Sequence, residues 1–117
     1  MLGFFKKKKE EFVKPKKDPF PSLEEVKNLT IIDIRSEDEV EFYGSFPNSI
    51  HIPFDEYFAS RLMLLDKNKE YGIMDLRGIE SVLNEAEKIA KKVGLNAKKL
   101  KGGFFYIKEV LNYKVKN

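Results

Sequence analysis

The 117-residue chain contains no cysteine and no tryptophan, and it has one histidine, seven glycines and five prolines. Without cysteine it can form no disulfide, hold no metal through thiolate, attack no substrate with a thiol and carry no persulfide. It also lacks any apolar run approaching the roughly 20 residues that span a bilayer. Ten Phe and five Tyr, with 42% hydrophobic residues overall, exclude a wholly disordered chain. The length allows one core and is too short for two.

The net charge of +3 is unevenly spread. Residues 1–19 hold seven lysines and three acids, whereas residues 20–117 hold 15 basic and 16 acidic residues. The high isoelectric point therefore comes from an N-terminal arm and not from a basic domain face, which argues against nucleic acid as a partner. The arm reads MLGFFKKKKEEFVKPKKDP and lacks the apolar centre and small-residue cleavage site of a secretory signal, so a cytoplasmic chain is expected. A terminus of dense like charge is expected to be a solvated, flexible tail, with at most a weak membrane-surface contact through Lys6, Lys7, Lys8 and Lys9.

In the domain of residues 20–117, hydrophobic periodicity alternates between strand and helix. Ser22 with Glu25, and Ser36 with Glu39, have the spacing of capping boxes and predict helices after Ser22 and over 37–43, the second ended by Gly44. Thr30 to Ile34 is almost continuously apolar and β-branched, as in a strand buried on both faces. Ser49 to Ile52 predicts a second strand. A helix is expected from Asp55, with Phe54 stapling its entry and Phe58, Leu62 and Leu65 on one inner face. Tyr71 to Met74 predicts the next strand, and Ile79, Val82, Leu83, Ala86, Ile89, Ala90 and Val93 recur at helical spacing up to Gly94. Ala97 to Leu100, a Gly102-Gly103 turn and a helix from Phe104 to Leu111 complete the pattern. Such alternation implies an α/β fold with a central, mainly parallel sheet of four or five strands and helices on both faces. Ligand sites in such sheets lie beyond the carboxyl ends of the strands, here the loops after Ile34, Met74 and Leu100.

In order and register, these segments resemble the rhodanese homology domain over roughly residues 20–113. Thr30-Ile31-Ile32-Asp33-Ile34-Arg35 is similar to the family's apolar strand ending in Asp-x-Arg. Gly44-Ser45-Phe46-Pro47-Asn48-Ser49-Ile50-His51-Ile52-Pro53 matches in length the family's Gly-His-Ile-Pro-Gly-Ala-x-Asn-Ile-Pro, with Ser45 at the usual His. Leu100-Lys101-Gly102-Gly103 corresponds to its Leu-x-Gly-Gly turn. The resemblance implies an active loop starting directly after the strand that ends at Met74, with a catalytic cysteine first and backbone N–H groups cradling a sulfur oxyanion. That register here is Asp75-Leu76-Arg77-Gly78-Ile79-Glu80-Ser81. Asp75 falls on the cysteine, Arg77 is the loop's one arginine, Glu80 is an added acid, and Ser81 stands where related phosphatases place an arginine.

Sulfurtransfer needs a nucleophile that can hold a persulfide, and a carboxylate oxygen cannot. The expected function is a catalytically inactive member serving as a binding, regulatory or protein-interaction module. Its partner is expected to be a protein or small anionic ligand, and the chain a monomer or small homo-oligomer. No cofactor and no metal are implied. The alternative is a repurposed enzyme in which Asp75 performs metal-assisted phosphoryl chemistry, with Asp33 and Glu80 as oxygen ligands. A simpler role for Asp75 is to fill the loop internally as N-cap of a helix beginning near Gly78. Asp33 and Arg35 are expected to form a structural pair beside the loop, and His51 a structural hydrogen bond. Of Phe104, Phe105 and Tyr106, at least one is expected to face the loop or a partner.

Overall fold

The computed structural model describes residues 19–116. The expected flexible tail and membrane contact of the N-terminal arm, Pro19 apart, lie outside the described residues. Both capping boxes form. Ser22 Oγ accepts from Glu25 N at 3.1 Å and Glu25 accepts from Ser22 N at 3.4 Å, opening α1 (Leu23–Asn28). Ser36 and Glu39 exchange the same pair of bonds at 3.2 and 3.1 Å and open α2 (Glu37–Tyr43).

Strands β1 (Thr30–Asp33), β2 (Ser49–His51), β3 (Glu70–Met74) and β4 (Asn96–Lys99) form a parallel sheet in the order β2-β1-β3-β4. Asp33 pairs with His51 on one side and Met74 on the other. Side chains alternate between two cores, so the central strands read as continuous apolar runs. Ile32, Ile34, Tyr71 and Ile73 pack with Phe58 and Leu62 of α3 (Phe58–Leu62) and with Leu83, Ala86 and Ala90 of α4 (Glu80–Lys92). Ile31 and Met74 pack on the opposite face with Val26, Phe46, Leu100, Phe104 and Ile107. The chain is thus a single α/β domain whose parallel sheet has four strands and is covered on both faces.

Two helices depart from expectation. The helix after Asp55 starts only at Phe58, because Asp55 Oδ1 accepts from Tyr57 N at 2.9 Å and turns the chain first. Phe54 does pack edge-on against Phe58, with ring centroids 5.0 Å apart. The last helix is α-helical only over Gly103–Phe105 (α5) and widens to a π segment over Tyr106–Val110, where Leu111 N donates to Tyr106 O at 3.1 Å. Three consecutive aromatics there find three environments. Phe104 enters the core, Phe105 meets Tyr43 edge-on, and Tyr106 stacks on Phe20.

The connection from β1 leads to β2 on one side of the sheet, and that from β3 leads to β4 on the other. Between the carboxyl ends of β1 and β3 the connections diverge, which leaves a crevice for a ligand.

Candidate functional site

Asp75 leaves the end of β3 directly into that crevice and is 7% exposed. Its Oδ1 accepts from Gly78 N at 2.8 Å and its Oδ2 from Ile79 N at 2.8 Å. The expected N-cap geometry is corrected in detail: Ile79 occupies the N-cap of α4 without a side-chain cap bond. Asp75 instead satisfies the amides of the last two loop residues before the helix. Burial pushes the Asp75 carboxyl above the usual aspartate range, its bonds to the Ile79 and Gly78 amides pull it back, and Glu39 pushes it up again.

The loop is held from behind by the double-glycine turn. Phe104 N donates to Asp75 O at 2.8 Å and Phe105 N to Leu76 O at 3.2 Å. Gly78 has a φ of +79° and passes so near the turn that a Cβ on it would stand 2.7 Å from the Gly102 backbone. A Cβ on Gly103 would stand 2.5 Å from Gly78 N and 2.8 Å from Asp75 Oδ1. Glycine is required on both sides of this contact.

In front of the loop lies a groove of about 220 Å³ lined by Ile34, Arg35, Glu39, Asp75, Leu76, Arg77, Ile79 and Val82. The residues of the loop separate here. Leu76 is half-buried, Arg77 is exposed with its guanidinium 5.3 Å from the Phe105 ring centroid, and Ile79 is exposed. Glu80 turns away to Lys99 at 3.2 Å and Lys101 at 3.9 Å, and Ser81 is exposed on the first turn of α4. Sequence reasoning did not name Ile34, Glu39 and Val82 as lining residues. For Glu39 a signal existed, since its place as third residue of a capping box fixes it near the strand end that precedes α2.

Asp33 and Arg35 form a fully buried, two-pronged pair, Nε to Oδ1 at 2.8 Å and Nη2 to Oδ2 at 2.6 Å. Nη2 also donates to Gly44 O at 2.8 Å, tying β1 to the end of α2. The guanidinium lies 4.1 Å from the Phe104 ring centroid, and its Nη1 is buried without a hydrogen-bond partner. Arg35 reaches the groove, but Asp33 is committed beneath it. His51 Nε2 lies 2.7 Å from Arg35 O, a bond that fixes the strand end. Asp33 and Glu80 do not converge on Asp75, and among the described residues no three His, Asp or Glu side chains gather as a metal site. No helix among the described residues is long and apolar enough to cross a membrane.

A family model described as Rhodanese-like domain matches residues 17–109. Among solved structures, a Rhodanese-like Domain Protein from Staphylococcus aureus superposes with a TM-score of 0.65 at 21% identity, covering 86% of this chain and 100% of that one. A rhodanese-related protein from Thermoplasma volcanium does so with a TM-score of 0.60 at 28% identity, covering 74% of this chain and 86% of that one. The reduced CoADR-RHD of Bacillus anthracis matches at 26% identity with a TM-score of 0.64, covering 80% of this chain and 17% of that one. No curated protein matches the chain.

Proposed function

The chain belongs to the rhodanese-like domain family, and from that premise we propose that it is a member without sulfurtransferase chemistry, acting as a binding module. The observation that carries this reading is the double acceptance by Asp75 of the Gly78 and Ile79 amides, both at 2.8 Å. Convergent N–H groups before a helix are a ready anion site, and here two of them already face an anion that belongs to the chain. The cysteine that would hold a persulfide is absent from the whole sequence. A carboxylate in its place is a hard oxygen nucleophile with no stable equivalent of that intermediate.

Two measurements test the reading. Thiosulfate:cyanide sulfurtransfer by the purified chain should not exceed the uncatalysed rate. Thiosulfate titrated into ¹⁵N-labelled protein should leave the Gly78 and Ile79 amide resonances in place. Turnover, or saturable shifts of those two amides, would refute it.

A further inference from the structure

Charge is sorted along this chain. Residues 28–66 contain eight acids (Asp33, Glu37, Asp38, Glu39, Glu41, Asp55, Glu56 and Asp66), two arginines and no lysine, in a chain that has 19 lysines and a net charge of +3. Asp33 is paired with Arg35 and Asp55 with Arg61. Glu37, Asp38 and Glu41 of α2 form no ion pair among the described residues. Helix α2 buries none of its side chains fully and has no base in its last turn. Glu41 stands near its C-terminus, where negative charge opposes the helix dipole. Phe42, between these acids and Tyr43, is 80% exposed. Phe42 meets only Tyr43 of its own helix among ring contacts of the described residues, and Glu41 and Phe42 border a shallow pocket shared with Lys116, so the fold does little to reward such a helix.

The groove beside α2 is of mixed character. Ile34, Leu76, Ile79 and Val82 make it apolar, Glu39 and Asp75 bring carboxylates to it, Arg77 brings an exposed cation, and Arg35 brings a guanidinium whose charge Asp33 answers from beneath. Because the Gly78 and Ile79 amides are already held by Asp75, two of the loop's donors are withdrawn and carboxylate acceptors stand in their place.

We propose that this groove and the outward face of α2 dock a protein segment bearing lysine or arginine. The methylene stem of one such side chain lies along Ile34, Leu76, Ile79 and Val82, and its cation faces Glu39 and Asp75. The inference deepens the binding-module reading and rests on it. Charge complementarity selects the occupant: an anionic segment meets the acids of α2, a purely apolar one leaves Glu37, Asp38 and Glu41 without a counter-charge, and a cation on an apolar stem suits both the acids and the apolar lining. Such a cation would also relieve the repulsion that Glu39 exerts on Asp75.

The probe is a labelled peptide of alternating leucine and lysine, with its glutamine-for-lysine counterpart and thiosulfate as controls, titrated into the full chain. The lysine peptide should shift the amides of Glu39, Leu76, Ile79 and Val82 and bind more weakly as salt rises. Joint Glu37→Gln, Asp38→Asn, Glu39→Gln and Glu41→Gln substitution should weaken it about tenfold or more. Glutamine at 39 keeps the capping-box acceptor, and circular dichroism checks that the variant is folded. Arg77→Ala should tighten binding. Equal binding of the glutamine peptide, an unchanged affinity in the acid-neutralised variant, or no shifts at all would each overturn the proposal. So would a dimer of the wild type that the variant loses, which would make a second copy the occupant. If the peptide and thiosulfate are both silent, only the docking inference falls. If thiosulfate moves Gly78 and Ile79, the binding-module reading falls with it.

Discussion

Replacing Asp75 by alanine separates what the carboxylate does for the loop from what the loop does for an anion. The substitution removes two bonds of 2.8 Å from the Gly78 and Ile79 amides. Bonds to a charged acceptor are each worth about 1.5–3 kcal/mol. Two effects offset part of that loss. Burial of the charge, which raises the carboxyl's pKa, is relieved, and water can reach the freed amides because Ile79 is 51% exposed. A net loss of about 1–2 kcal/mol is expected, in the range of a lost helix cap. Such a loss lowers the melting temperature by roughly 4–8 °C in a domain of about this size. The freed amides then form an empty anion site. Sulfate at ten times its dissociation constant should return about 1.4 kcal/mol to the variant. Sulfate also stabilises proteins generally by exclusion from their surfaces, so the quantity that decides is the difference between variant and wild type at matched ionic strength. Thermal melts by circular dichroism, in sulfate and in chloride, supply it. An unchanged melting temperature in Asp75→Ala, or equal sulfate effects on both proteins, would refute the reasoning.

Other perturbations probe the frame around the loop. Asp33→Ala leaves the buried Arg35 guanidinium without its carboxylate and should cost about 3–5 kcal/mol in urea unfolding, while joint Asp33→Leu and Arg35→Met substitution should cost clearly less. A single-variant loss below about 1 kcal/mol would show that the pair is not what holds β1 to α2. Gly78→Ala meets both a positive φ and the Gly102 backbone at 2.7 Å, whereas Gly94→Ala meets a similar φ but only the flexible Lys67 side chain at 3.3 Å. The first should therefore destabilise more than the second, whose loss is the backbone strain alone, about 1–3 kcal/mol. Equal losses would mean that contact between loop and turn is dispensable. The raised pKa of Asp75 fixes a sign as well. Its folded form binds a proton before the unfolded form does, so wild-type stability relative to Asp75→Asn should rise as pH falls through the folded pKa, and level off below the ordinary value of 3.8. A relative fall on acidification, in urea titrations of both proteins, would contradict the burial argument.

Much of the frame is written in short-range patterns. Ser22 with Glu25 and Ser36 with Glu39 name the starts of α1 and α2 because a capping box is a local bargain between neighbouring groups. The unbroken apolar character of Thr30 to Ile34 tells of two covered faces, and both cores use it. The pattern fails where a side chain and the backbone compete. Asp55 is a good helix starter by type, yet its carboxylate closes a turn on Tyr57 and delays α3. The π segment after Phe105 leaves no mark in spacing, because its aromatics are sorted by distant partners such as Phe20 and Tyr43. The candidate site was legible as a loop through its family register, and Asp75 as its centre. Its groove was less so: Glu39 is placed by its capping box, but Ile34 and Val82 come to the same groove only because the connections from β1 and β3 part between those strands.

A carboxylate at the head of this loop and an acidic α2 beside it belong together. Were the loop to hold an external anion, Glu39 and the acids of α2 would oppose that ligand from their side of the groove, against the attraction of Arg77, at a strength that salt would screen. With Asp75 holding the amides, the repulsion from Glu39 falls on an internal group tied by two bonds of 2.8 Å, whose pKa is raised chiefly by burial and to a lesser degree by Glu39. The acids at the groove then no longer act against a ligand, and a cationic partner turns them into a recognition surface. If that coupling is right, Asp75→Ala and the neutralisation of α2 should be non-additive for sulfate. Removing the four acids in the Asp75→Ala background should strengthen sulfate binding, whereas in the wild type it should leave sulfate binding absent. Sulfate binding to the α2-neutralised wild type would show that the amides were never closed to anions, and that repulsion alone had kept them empty.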